Sequence, residues 1–227
     1  MTLQFTNPFT VGKLIAYAVL LVIAFVGLIC PSHARAQAAD AKKAPVVFSE
    51  KDREAAIAFL NETKSEFASE ISSLSDAQLN FKAAPDKWSV AEVAEHIILA
   101  ENTIYTIISE NVVKSPAPVG ADNFRIKDTA IWMVLTNRST KFTAPEQLRP
   151  ASRFKTKADI LSNFASTRAR TIDYMSTTKD DLRNRFGELP VLGTIDGYQW
   201  FVFVNAHSAR HLAQIAEIKA DPKFPQK

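Results

Sequence analysis

The sequence predicts an all-α protein, a four-helix up-down bundle with one longer crossover and a short extra helix. Three observations predict it. Apolar residues recur at helical spacing along almost all of the chain after residue 48. Prolines fall between the periodic segments, where they break helices without disrupting one. A serine followed three residues later by an acidic residue stands where two of those segments open.

Ser49 with Asp52 opens the first segment, in which Ile57, Leu60, Phe67, Ile71 and Leu74 recur at mostly helical spacing. Pro85 breaks the chain. Ser89 and Glu92 open the second helix, whose apolar positions are Val93, Ile97, Ala100, Ile104 and Ile107. Pro116 and Pro118 end it. A third, shorter pattern runs from about Ile126 to Leu135 and includes Ile131, Met133 and Val134. After the loop from Pro145 to Pro150, a fourth carries Ile160, Leu161, Phe164, Ile172 and Met175. Residues 178–197, with Gly187, Pro190, Gly193 and Gly197, form a long connection. The last helix runs from about Gly197 to Ala220, and Pro222 and Pro225 stop it. LPVLGTI, Leu189 to Ile195, is the one strand-like stretch, and it is expected to be too isolated to build a sheet.

The N-terminal region has a different character. Lys13 precedes an unbroken apolar run from Leu14 to Cys30, followed by Pro31 and the small-residue stretch SHARAQAA. A basic start, an apolar middle and an Ala-x-Ala site describe a secretory signal peptide over residues 1–36, cut after Ala36 or Ala38. An uncleaved anchor is the alternative, but a run of roughly 17 residues sits at the short end of what spans a bilayer. Residues 37–48 read as a flexible tether and 49–225 as one helical domain. The expectation is a periplasmic or secreted protein with no stable membrane anchor after cleavage. Cys30 is the single cysteine, so the exported domain has neither disulfides nor thiolate chemistry. Without Lys13 and Arg35 the chain keeps 25 basic against 24 acidic residues, evenly spread, which gives no footprint for nucleic acid. With six glycines and no phosphate-binding glycine-rich loop, the composition also argues against nucleotide binding.

The chemistry rests on histidine. Four occur, and His33 falls in the segment expected to be removed. His207 and His211 are four residues apart, hence about 40° apart around a helix, on or beside the stripe of Trp200, Phe203, Val204, Ile215 and Ile218. His96 follows Val93 by three and precedes Ala100 by four, which puts it on the apolar face of its own helix. Three imidazoles with open positions left for water or substrate would make a catalytic type of metal site. The competing reading is that each core histidine is satisfied by a separate hydrogen bond.

The segment LSDAQLNFKAAPDKWSVAEVAEHIILAE resembles the signature of the DinB-like superfamily, in which a Trp-Ser helix start leads to a first histidine. GTIDGYQWFVFVNAHSARHLAQIAEI resembles its closing helix, and the likeness covers about residues 50 to 225. The resemblance implies a four-helix bundle holding a divalent metal, most often nickel or zinc, on three histidines. These carry over to His96, His207 and His211, whereas Asp86, Lys87 and Trp88 match the structural start of the helix. It leaves the reaction open. Metal-dependent hydrolysis of a small molecule is the most economical choice. A non-catalytic metal-binding or interaction module is the alternative, as is a thiol-dependent transferase, which export disfavours. A homodimer is left open.

Other residues carry two readings. Glu95 and Glu101 lie about 100° and about 140° from His96 around the helix, unsuited to ligation, and read as solvated. Gln214, three after His211, has the spacing of a hydrogen-bond partner but also suits a polar face. Arg168 stands in mid-stripe between Phe164 and Ile172, where it would either anchor an anionic substrate or run its stem out to water, the favoured reading.

Overall fold

Four long helices each open on a reciprocal capping box. In the computed structural model, which describes residues 46–116, 118–120 and 125–226, these are α1 (Glu50–Ser72), α3 (Val90–Glu110), α5 (Lys157–Thr177) and α6 (Gly197–Lys219). The expected signal peptide lies outside the described residues, as does all but the end of the tether. The boxes are Ser49 with Asp52, Ser89 with Glu92, Thr156 with Asp159, and Asp196 with Gln199. In each, two backbone N–H groups that the helix leaves without partners are satisfied by side chains. Among the described residues, a single turn, α2 (Asp76–Leu79), and a short helix, α4 (Asp128–Thr136), complete the α-helical set.

Around the bundle the helices do not follow chain order. α1 packs on α5 and α6, and α3 packs on the same two, so the ring runs α1, α5, α3, α6. Ala56 and Leu60 of α1 share one core cluster with Ala100 and Ile104 of α3, Met175 of α5 and Phe201 of α6. Phe67 and Ile71 share the other with Val93 and Ile97, Phe164, and Leu212 and Ile215. α1 and α6 therefore run one way and α3 and α5 the other. The crossover between the two parallel neighbours, α3 and α5, is the segment 111–156 that carries α4, which packs on α6. Among the described residues no helix is long and apolar enough to cross a membrane.

The strand-like stretch does find a partner, a correction to the sequence reading. β1 (Phe186–Leu189) pairs antiparallel with β2 (Gly193–Asp196), with Phe186 opposite Asp196 and Leu189 opposite Gly193. β1 is the sequence FGEL, whose glycine and glutamate hide the alternation. A Cβ on Gly187 would lie 2.7 Å from the Val112 side chain and 3.0 Å from the Trp200 indole nitrogen. A hairpin this small is marginal alone; packing on Val112 and α6 sustains it.

Between the two core clusters lies a polar waist. Arg168 of α5, fully buried, donates to both carboxylate oxygens of Glu101 on α3, to the Leu60 carbonyl and Thr63 hydroxyl of α1, and to the Ser208 hydroxyl of α6. One guanidinium thus ties all four long helices. Arg168 is no snorkelling side chain and Glu101 is not solvated. Each faces its opposite charge across the bundle, which makes burial of both tolerable.

Candidate metal centre

His96 comes from α3, and His207 and His211 come from successive turns of α6, the helix packed beside it. One ring nitrogen from each can be chosen so that all three lie within 4.8 Å of one another. The Nε2 atoms of His96 and His207 are 3.2 Å apart. The far side of two rings is fixed. His96 Nδ1–H donates to the Leu148 carbonyl at 2.8 Å, and His211 Nδ1–H donates to Gln214 Oε1 at 2.8 Å. Because each acceptor is an oxygen without a proton, both rings turn an Nε2 lone pair toward the shared space. This is how ligating histidines are held in metal sites.

Electrostatics keeps the rings in the ligating form. Burial holds His96 below the ordinary histidine value and His207 well below it. His211 is pushed down to about 3 by burial, helped by His96, Arg138 and Arg210 nearby. Neutral imidazoles are the species that coordinate. His96 and His211 are buried, and His207 is partly exposed. Aromatic rings form the walls: Trp88 lies 5.0 Å from His96 and Phe203 lies 5.8 Å from His207, centroid to centroid. Trp88 therefore packs against the trio besides preceding the helix cap.

The surroundings correct the reading of Glu95. It is 2% exposed and accepts from the backbone N–H of Ala151 and Arg153 and from the Arg153 guanidinium, at 2.8, 3.1 and 2.7 Å. These bonds lay the 145–153 loop across α3 and bring the Leu148 carbonyl to His96. Gln214 has a specific partner in His211 and is more than part of a polar face. The Leu148 carbonyl was invisible to sequence reasoning because a backbone group carries no residue signal.

A family model of the DinB superfamily matches residues 59–215, a span that contains all three histidines. The chain belongs to the DinB superfamily. The uncharacterised protein YuaE of Bacillus subtilis strain 168 is 28% identical over 163 residues, covering 72% of this chain and 96% of YuaE. Among solved structures, YfiT from Bacillus subtilis superposes with a TM-score of 0.50 at 16% identity, covering 78% of this chain and 91% of YfiT. YfiT is described as a probable metal-dependent hydrolase with an unusual four-helix bundle topology. At that identity the likeness speaks for the fold. In this DinB protein the donors suit a divalent ion on chemical grounds, since three neutral nitrogens converge and two are oriented from behind. No carboxylate joins them within ligand reach among the described residues.

Proposed function

We propose that this DinB protein is an exported, metal-dependent hydrolase of a small molecule, with one divalent ion, nickel or zinc, held by His96, His207 and His211. The observation that carries the reading is the convergence of three ring nitrogens, two of them aimed by hydrogen bonds at Nδ1. The description of YfiT supports the same reaction class. Without an ion, His207 Nε2–H donating to His96 Nε2 satisfies that pair. For a bound ion to use both nitrogens, His207 would carry that proton on Nδ1 instead, which keeps the ring neutral. When bound, the ion supplies Lewis acidity and lowers the pKa of a coordinated water toward about 7.

The chain's own residues do the rest. Leu148 and Gln214 fix the tautomers of His96 and His211, so neither of these two rings has to reorient on binding. Trp88 and Phe203 exclude water from the flanks, which strengthens every electrostatic contact inside. Export follows the signal-like N-terminus and would place the domain in the periplasm or outside the cell.

A non-catalytic metal-binding module is the second reading. It is favoured by one observation: Glu95 is fully committed to Arg153 and the loop, and Glu101 to Arg168, so neither is free to act as a general base. Elemental analysis of the purified mature protein, followed by a hydrolase screen with the bound metal retained, separates the two. Stoichiometric metal with turnover supports the enzyme; stoichiometric metal without turnover supports the module; a metal-free protein contradicts both.

A further inference from the structure

The fixed charges around the trio are one-sided. Arg210, adjacent to His211 on α6, is 6% exposed and donates to the carbonyls of Leu135, Asn137 and Thr140 at 3.0, 2.7 and 2.6 Å. Carbonyl oxygens solvate a guanidinium but do not cancel its charge. Arg138, in the loop that Arg210 holds, pairs with Glu217 at 2.8 Å, and that carboxylate is about half exposed. Two arginines thus share one acid beside the site. On the other side, the carboxylates of Glu95 and Glu101 are neutralised by Arg153 and Arg168. Three neutral ligands would leave a divalent ion's own charge wholly uncompensated, in a surrounding that adds positive charge.

We propose that the open position of this centre selects a compact oxyanion, so that the substrate is a small carboxylate- or phosphate-bearing molecule and not a neutral one. The inference rests on the metal-binding reading above and deepens it. Arg138 and Arg210 act through their field. Arg210 spends its donors on the backbone, so it contributes positive potential without touching the ligand. Opposite charge gathered at a partly desolvated site raises both the occupancy and the arrival rate of anions.

Arg138 and Glu217 supply a test that separates field from structure. Arg138→Gln and Glu217→Gln break the same ion pair, so a structural role moves both variants in one direction. A field effect moves them in opposite directions. The probes are acetate and inorganic phosphate, with imidazole as the neutral control, titrated into cobalt-loaded protein at low ionic strength and followed by the visible absorption of the ion. Metal content and thermal melting are measured first on each protein. R138Q is expected to weaken both oxyanions about two- to fivefold and E217Q to tighten them by a similar factor, as expected for one charge removed at intermediate distance in a mostly aqueous dielectric. Imidazole affinity stays unchanged. Oxyanion affinities that shift the same way in both variants, or in neither, overturn the inference while leaving the metal site standing. A wild-type protein that takes up no cobalt, nickel or zinc overturns the metal reading and this inference with it.

Discussion

His96 Nε2 stands 3.2 Å from His207 Nε2 on the neighbouring helix, while the opposite nitrogen of His96 is committed to the Leu148 carbonyl. Two nitrogens that far apart subtend about 100° at an ion placed ~2.0–2.1 Å from each, an angle that tetrahedral and octahedral centres both accept. The helices thus hold the pair at a ligating separation before any ion arrives.

Removing one ligand should separate the site from the fold. His207→Ala is expected to lower affinity for nickel or zinc by more than the ~10–100-fold that loss of an outer hydrogen bond causes. Its helical content should stay near wild type, because both core clusters keep their apolar contacts. Chelator competition and far-ultraviolet circular dichroism check the two halves. Collapse of the helical signal would point to a structural role for the trio.

Gln214→Leu keeps all three ligands and removes only the acceptor at His211 Nδ1. Affinity is expected to fall about 10–100-fold with one ion still bound at saturation. Unchanged affinity in the same competition assay would show that Gln214 orients nothing.

The polar waist predicts a large stability effect away from the metal. Arg168→Met leaves the Glu101 carboxylate buried without its cation, and breaking such a pair costs about 3–5 kcal/mol. The double variant R168M/E101Q removes both charges and should recover part of the loss. Urea unfolding measures both; a loss under about 1 kcal/mol for the single variant would contradict the waist as a structural tie.

The depressed histidines make the ion-free protein acid-sensitive. His211 titrates near 6.5 when unfolded and at about 3 when folded, so between those values the unfolded chain binds more protons. The stability from its neutral form is present above about 6.5 and is lost as pH falls toward 3. His96 and His207 shift the same way. Urea midpoints of chelator-treated protein should therefore drop from pH 7 to pH 4, and His211→Asn should flatten that slope. For the same reason bound metal should persist to pH values below that of free imidazole. A urea midpoint independent of pH would mean that the rings are not held neutral.

Much of this was legible in the sequence because it is written along single helices. The caps at Ser49 and Ser89, the apolar stripes and the H-x-x-x-H spacing each need only one segment to be seen. What was not legible lies between segments. Glu101 reads as solvated until α5 brings Arg168 against it, and Glu95 reads the same way until the 145–153 loop folds across α3. β1 is hidden because Gly187 answers to Val112 and Trp200, which are remote in sequence. The Leu148 carbonyl belongs to the backbone and has no letter of its own.

The central claim is one divalent ion on His96, His207 and His211, and anomalous diffraction at the metal edge from crystals of nickel- or zinc-loaded protein tests it most directly. The account predicts one strong anomalous peak, ~2.0–2.2 Å from a ring nitrogen of each of the three histidines, with His96 Nδ1 still on Leu148 and His211 Nδ1 still on Gln214. A peak elsewhere on the chain, or a His96 ring turned away from the α6 pair, would contradict it.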